Sequence, residues 1–222
     1  MTLPKEKISE YAERLHRMFN ELPRYKKPFD NFDLLPRDGL CITFENGQKI
    51  FSNKFDRVVH IGFHYSNGNN RNRIGQFFLT TGRDATLKRH IGAALIKKTD
   101  SDNSFLKLWK KHPSKRDGKD DVYFKKESQY NEMVHEYIYN NMSFSAIPYS
   151  NSDKRERKVL KDKILYTLAM YNKNNNLDSW LGEYSDNSNV KNYGLWAEDY
   201  LKLGEFMTEA DFVLLENLIQ DK

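Results

Sequence analysis

The chain has 222 residues, of which 38% are hydrophobic and 30% charged, with a formal net charge of +5 and a mean hydropathy of −0.83. This length suits one domain with elaborations and is sufficient for a hydrophobic core. The high charged fraction therefore indicates a strongly hydrated surface and not a disordered chain. The single cysteine, Cys41, excludes an internal disulfide and a cysteine-based metal cluster. Because no apolar run approaches ~20 residues and no signal-peptide core opens the chain, we expect a soluble, cytoplasmic protein without a membrane partner.

The first elements along the chain are a helix and a β-hairpin. Apolar residues at helical spacing predict an amphipathic helix over residues 6–22. Two β-rich runs, 39–45 and 57–64, follow a proline-bearing loop and flank Asn46-Gly47, so the pattern predicts a hairpin that turns at this dipeptide. A polar, arginine-bearing segment over residues 69–77 then predicts a loop that becomes a helix.

The rest of the chain alternates helices with one further strand. The patterns predict helices over residues 87–98, 105–109, 130–140 and 153–171, a strand over 142–149, and a last helix from Thr208 that begins with a Thr-x-x-Asp capping box. Together these elements predict an α+β or α/β fold with a small sheet covered by helices. We divide the chain into an N-terminal helical extension, residues 1–38, and a domain over residues 39–222.

Charged and titratable side chains cluster where the second strand ends. His60 and His64 flank Gly62, and Arg71 and Arg73 stand at the start of the next helix. Hydrolysis of a phosphodiester needs positive charge on the phosphate, a base for the attacking water and usually a divalent cation on oxygen ligands. These residue types could supply the first two requirements, and the net charge slightly favours a polyanionic partner.

Carboxylates for a metal ion would have to come from the long helix, at Glu156 or Asp162. Each of these side chains also has a purely structural interpretation. A histidine at a strand end is more often a satisfied structural residue than a base, and arginines in a polar segment are more often solvated than catalytic. On the residues alone, a nuclease and a non-catalytic α+β domain both remain open.

The order of these parts resembles the GIY-YIG nuclease family, whose two tripeptides would fall at Gly39-Leu40-Cys41 and His60-Ile61-Gly62. Asn72-Arg73-Ile74 resembles the context of the family's catalytic arginine. The segment 86–95 resembles a sequence motif found in one branch of the family, the standalone or defence-associated proteins. The pair Trp180-Leu181-Gly182 and Gly194-Leu195-Trp196 resembles two further motifs of that branch, so the resemblance covers residue 39 to the last helix.

The resemblance implies an α+β fold with a small central antiparallel or mixed sheet, and it implies roles for particular residues. Arg73 would be catalytic, with His60 or His64 as the base. Cys41 and His60 stand where the family has tyrosines, and Lys161 stands where the family has its metal-binding glutamate. A Mg²⁺ or Mn²⁺ ion would then need Glu156 or Asp162. The expected nucleic-acid contacts are Arg71, Lys88, Arg89 and His90, with duplex DNA as partner.

Three functions follow from these observations. The first is a metal-dependent DNA endonuclease that hydrolyses phosphodiesters, which His60, His64 and Arg73 favour. The second is a nuclease-like fold without metal binding that serves as a DNA- or protein-binding module, which Lys161 favours. The third is an unrelated α+β interaction domain.

Overall fold

The computed structural model describes residues 3–26, 33, 35–63, 68–79, 86–99, 104–110, 121–149, 153–175, 177 and 180–220. Within these residues the chain forms an α+β fold, in which helices flank a small antiparallel sheet. The strands are β1 (Gly39–Ile50), β2 (Phe55–Phe63) and β3 (Met142–Pro148). The helices are α1 (Lys5–Asn20), α2 (Asn70–Leu79), α3 (Thr86–Thr99), α4 (Ser104–Lys110), α5 (Asp121–Asn141), α6 (Lys154–Lys173), α7 (Ser188–Tyr193) and α8 (Glu209–Gln220), with single 3₁₀ turns at Leu181–Tyr184 and Asp199–Lys202.

Strand β1 is the centre of the sheet, whose order is β2-β1-β3. Both neighbours run antiparallel to it, and Thr43 pairs with His60 on one side and with Phe144 on the other. This confirms the predicted pairing of the first two strands and the predicted third strand near Phe144. Strand β2 is therefore an edge of the described sheet.

The predicted turn at Asn46-Gly47 is wrong, because strand β1 continues through this dipeptide to Ile50. Gly47 has a φ of +79°, and the pairing with β2 is irregular between Phe44 and Lys49. The dipeptide thus forms an irregularity inside a long strand, where glycine permits the left-handed backbone.

The hairpin turns at residues 51–54 instead. Phe51, Ser52 and Asn53 all have φ between 54° and 67°, a region that residues with a Cβ enter only at a cost. The ring of Phe51 stacks on Tyr171 of helix α6 with 4.6 Å between the ring centroids. Packing of this aromatic pair against the long helix is the contact that can offset the backbone cost.

The sheet is covered on both faces. On one face, alternate residues of β1 (Leu40, Ile42 and Phe44) are fully buried in a core that includes α1, α6 and α8. On the other face, Cys41 and Phe144 belong to a second core formed with α2, α3, α4 and α5. Side chains alternate across a strand, so a sheet with two covered faces gives nearly continuous burial along β1.

Helix α1 is tied to the sheet through the buried side chain of His16. Its Nδ1 lies 2.9 Å from the carbonyl oxygen of Ala12, and its Nε2 accepts a hydrogen bond from the N–H of Val58 at 3.4 Å. Burial lowers the pKa of His16 to about 4, so the ring is neutral at pH 7 and both ring nitrogens are used. This histidine is a structural link between α1 and β2.

The last helix begins with the predicted capping box. The N–H of Asp211 donates to Thr208 Oγ1 at 3.3 Å, and the N–H of Thr208 donates to Asp211 Oδ2 at 2.8 Å. Lys163 Nζ lies 3.0 Å from the same carboxylate and joins α8 to α6. None of the described helices is long and apolar enough to cross a bilayer.

Candidate active site

A cavity of about 230 Å³ opens beside the edge strand β2, and we call it the β2 pocket. Its walls come from β1, β2, α2, the start of α3, α6 and the segment that follows α7. The polar and titratable side chains on these walls are Cys41, Thr43, His60, Asn70, Arg73, Thr86, Lys161, Glu198 and Asp199. The pocket therefore brings together residues that are far apart in the sequence.

The floor of the β2 pocket is set by strand register. Thr43 pairs with His60, and Cys41 pairs with Gly62, so the alternation of the two strands directs these positions to one face of the sheet. A Cβ on Gly62 would lie 3.3 Å from His60 Cε1, so the glycine leaves room for the imidazole. The His60 ring lies parallel to the ring of Phe77 on α2, with 6.0 Å between the centroids.

His60 lies in a positive environment. Burial, and after it the nearby charges of Lys161 and Arg73, lower the pKa of its imidazole to about 3. The ring is therefore neutral at pH 7 and can accept a proton or a hydrogen bond. An anion bound near these two cations would raise the pKa again toward the range where a general base works best.

Arg73 is held in place by the start of helix α2. Its own N–H donates to the carbonyl oxygen of Asn69 at 3.0 Å, which closes the first helical turn. The N–H of Asn70 donates to the carbonyl oxygen of Arg37 at 3.0 Å, and Asn70 Nδ2 donates to that of Pro36 at 3.3 Å. These bonds fix the helix start against the segment that leads into β1, so Arg73 enters the β2 pocket from a defined position.

Helix α6 presents a lysine to the β2 pocket. Lys161 lines the cavity, its Nζ lies 2.9 Å from Asp162 Oδ1, and it lies 5.3 Å from the ring centroid of Phe63. Asp162 is buried and also forms an ion pair with Lys158. The carboxylate that sequence reasoning offered as a metal ligand is thus engaged by two ammonium groups and does not line the cavity.

The other candidate ligand, Glu156, is exposed in the first turn of α6 and does not line the β2 pocket either. Among the described residues, no group of three or more histidine, cysteine or acidic side chains is arranged to hold a metal ion. The carboxylates that do line the pocket are Glu198 and Asp199. Sequence reasoning missed both of them, although they come directly after the Gly194-Leu195-Trp196 motif.

A hydrogen bond to the sheet edge explains how that motif shapes the pocket. The N–H of Trp196 donates to the carbonyl oxygen of Val59 at 2.8 Å, so the motif lies along β2 next to His60. The two residues that follow Ala197 then reach the pocket wall. Ala197 itself also lines the cavity.

Arg57 joins the two tryptophan motifs. This buried side chain donates from Nη1 to the carbonyl oxygen of Gly194 at 2.8 Å, and its guanidinium lies 4.5 Å from the ring centroid of Trp180. The rings of Trp180 and Trp196 meet edge to face with 4.8 Å between their centroids. The two motifs therefore pack against each other, and Trp196 forms part of the pocket wall.

Two of the predicted nucleic-acid contacts, Arg71 and Lys88, donate hydrogen bonds to backbone carbonyl oxygens. Arg71 donates to the carbonyl oxygens of Leu35 and Asp33. Lys88 is 1% exposed, and its Nζ donates to the carbonyl oxygen of Gln76 at 2.8 Å. The structure does not bring either side chain into the β2 pocket.

The other two predicted contacts line an adjoining groove of about 430 Å³. Arg89 and His90 form this groove, and it shares Thr86 and Glu198 with the β2 pocket. Burial lowers the pKa of His90, and the nearby carboxylate of Glu198 offsets part of that shift. His64, the second candidate base, lies outside the described residues.

Cys41 lines the β2 pocket at the position where the resemblance places a tyrosine. Burial raises the pKa of its thiol to about 12, although a hydrogen bond with Thr43 acts in the opposite direction. The sulfur is therefore protonated at neutral pH, and a thiol is a poor nucleophile compared with a thiolate. Cys41 contributes to the shape of the pocket.

A family model described as the GIY-YIG domain matches residues 6–222. The chain belongs to the GIY-YIG family. Membership supports a nuclease-like function in general and nucleic acid as the substrate class. No curated protein and no solved structure matches the chain.

GIY-YIG nucleases are generally metal-dependent, but the residues that α6 brings to this pocket do not fit a divalent cation. Mg²⁺ binds oxygen ligands, whereas α6 presents the ammonium of Lys161, and the neighbouring Asp162 is buried in two ion pairs. Glu198 and Asp199 are the remaining oxygen donors on the pocket wall. The pocket of this GIY-YIG protein thus contains an arginine from α2 and a lysine from α6.

Proposed function

We propose that the β2 pocket of this GIY-YIG protein binds the phosphodiester backbone of nucleic acid, with duplex DNA as the partner. The observation that supports this most is that Arg73, Lys161 and His60 surround one cavity at the edge of the sheet. A planar guanidinium can pair with two phosphate oxygens, while an ammonium adds a compact point charge.

Each side chain has a role in this proposal. Arg73 clamps the phosphate, Lys161 supplies the second positive charge, and neutral His60 accepts a hydrogen bond from substrate or water. Arg89 and His90 in the adjoining groove contact the backbone next to the bound phosphate. The net charge of +5 assists association with a polyanion and makes binding sensitive to salt.

Metal-dependent hydrolysis of DNA, with Mg²⁺ or Mn²⁺, is the second candidate function. The geometry of His60 and Arg73 favours it, because a bound phosphate would raise the pKa of the imidazole and let it take a proton from water. Lys161 disfavours it, since an ammonium on the wall repels a divalent cation. Binding without cleavage is therefore the function that the pocket supports best.

The two functions separate in one set of assays. We expect the wild type to bind a short, fluorescently labelled DNA duplex, with affinity that falls as salt rises, and to leave supercoiled plasmid intact in Mg²⁺ or Mn²⁺. Absence of duplex binding at low salt would contradict the proposal and favour a protein-binding module. Metal-dependent plasmid nicking would establish the nuclease.

Carboxylate variants would then locate the metal of such a nuclease. Loss of nicking in Glu156→Ala or Asp162→Ala would assign the ion to α6, and loss in Glu198→Gln would assign it to the segment after Trp196. Glu205→Gln is the matched control, because Glu205 is exposed in the same C-terminal region and does not line the pocket.

A further inference from the structure

We infer that the Lys161 ammonium replaces the divalent cation in this pocket, so that phosphate binding needs no metal ion and the pocket disfavours one. This inference rests on the proposed function, because it specifies how the same site holds a phosphate. The cation in question is the side-chain ammonium of Lys161, which is part of the protein.

Lys161 is buried at the wall of the β2 pocket. Its side chain is 11% exposed, and the residue lines the cavity together with Arg73 and His60. Because the side chain is mostly buried, packing restricts its freedom. A lysine held in this way loses less conformational entropy on binding an anion than an exposed lysine would.

Asp162 pairs with Lys161 next to the β2 pocket. Its buried carboxylate lies 2.9 Å from Lys161 Nζ and forms an ion pair with it. Lys158 pairs with the other oxygen of this carboxylate. Two ammonium groups thus share one carboxylate, which leaves a net positive charge at the pocket wall.

The surroundings of His60 support the location of that charge. Lys161 is the first of the neighbouring charges that lower the pKa of the imidazole, ahead of Arg73. Both cations therefore act on the same point of the pocket. A phosphate that binds beside His60 would meet positive charge from two elements, α2 and α6, without an added ion.

A divalent cation at this wall would meet the opposite conditions. It would lie close to an ammonium, and α6 offers it no unengaged carboxylate, because Asp162 is paired and Glu156 does not line the cavity. Glu198 and Asp199 are on another segment and, within the described part of the chain, no third ligand of the histidine, cysteine or acidic type joins them in a metal-binding group. A divalent cation needs several oxygen ligands to replace its water shell.

The first experiment measures affinity for a short DNA duplex by fluorescence anisotropy. We expect EDTA to leave wild-type affinity unchanged, and Lys161→Met to weaken binding about tenfold and to lower the salt slope by about 0.9. The matched control is Lys173→Met on the same helix, about 18 Å further along its axis by a rise of 1.5 Å per residue. Lys173 is exposed and does not line the pocket, so this variant should change neither value.

The second experiment measures Mn²⁺ binding directly by titration calorimetry, with no nucleic acid present. We expect Lys161→Glu to bind Mn²⁺ at least tenfold more tightly than the wild type, because the change replaces an ammonium with an oxygen donor. Thermal melting followed by circular dichroism checks that both Lys161→Glu and Lys161→Gln are folded. Lys161→Gln is a neutral variant of similar size that can be used if Lys161→Glu does not fold. With Lys161→Gln, wild-type-like duplex affinity would overturn the inference.

The outcomes separate this inference from the proposed function. If Arg73→Ala weakens duplex binding but Lys161→Met and Lys161→Gln do not, the pocket still binds phosphate and the inference is wrong. If neither Arg73→Ala nor the Lys161 variants weaken binding, both are wrong. Wild-type Mn²⁺ binding that disappears in Glu198→Gln would also overturn the inference, because the pocket would then hold the ion that Lys161 is said to replace.

Discussion

Arg73→Ala is expected to weaken binding of a short DNA duplex by about 10- to 100-fold. Hydrogen bonds that involve a charged group are worth about 1.5–3 kcal/mol, and each 1.4 kcal/mol corresponds to a tenfold change in affinity. Backbone hydrogen bonds fix the first turn of α2, and Arg73 on this turn lines the cavity. The slope of log affinity against log salt should fall by about 0.9, the value for one lost phosphate contact.

Two variants sharpen this prediction. Arg73→Lys keeps the charge and should keep the salt slope, but it should lose affinity because an ammonium cannot bind two oxygens as a planar fork does. Arg17→Ala is the control, since Arg17 is an exposed arginine of α1 whose partner, Glu13, lies 3.4 Å away on the same helix. If Arg73→Ala behaves like Arg17→Ala in both affinity and slope, the β2 pocket is not the phosphate site.

Trp109→Ala is expected to lower the free energy of unfolding by about 3–5 kcal/mol, the usual cost of removing a large buried aromatic side chain. Trp109 is fully buried between α3 and α5, and its ring lies 6.3 Å from those of Phe105 and Tyr130. Its Nε1 also donates to the carbonyl oxygen of Arg89 at 3.0 Å. Urea unfolding of the variant and the wild type, followed by circular dichroism, measures the difference.

A second substitution, at Gly92, tests whether the close contact between Gly92 and the Trp109 indole matters for stability. A Cβ at Gly92 would lie 2.1 Å from Trp109 Cζ2, so Gly92→Ala should destabilise the fold by about 1–3 kcal/mol, although alanine is the better helix former by about 0.8–1 kcal/mol. With Trp109→Ala already present, the clash is gone and Gly92→Ala should be neutral or stabilising. Additive effects of the two changes would show that the indole does not require the glycine.

The strands and most helices were predictable because their patterns are local and strong. The pairing of the first two strands and the third strand near Phe144 are confirmed. The hairpin turn was not predictable, since Asn46-Gly47 is a strong local turn signal that the strand overrides. At the actual turn Phe51 packs on Tyr171, a contact between distant parts of the chain that a local pattern does not indicate.

The site was predictable only where strand ends and helix starts determine it. His60 and Arg73 lie together in the β2 pocket because β2 runs into α2 after a short connection. Glu198 reaches the same pocket through the hydrogen bond of Trp196 to the edge of β2, which no local pattern indicates. Lys88 was predicted to contact nucleic acid because a lysine on a helix suggests a surface charge. In the structure it is buried, and its Nζ donates to a backbone carbonyl oxygen.

The imidazole of His60 gives the most direct test of phosphate binding in the β2 pocket. An anion near Lys161 and Arg73 would offset the two charges that help to hold the pKa of His60 near 3. The pKa of His60 should therefore rise in the complex. Nuclear magnetic resonance of the histidine ring nitrogens, with and without a saturating short duplex at pH 7 and at about pH 5, measures this change.

We predict that the His60 ring signals move when the duplex binds, that at the lower pH they move toward the protonated form, and that Arg73→Ala removes the effect. His16 serves as the internal control, because both of its ring nitrogens are engaged between α1 and β2 and it does not line the pocket. Duplex binding that leaves the His60 signals as unmoved as those of His16 would contradict the account.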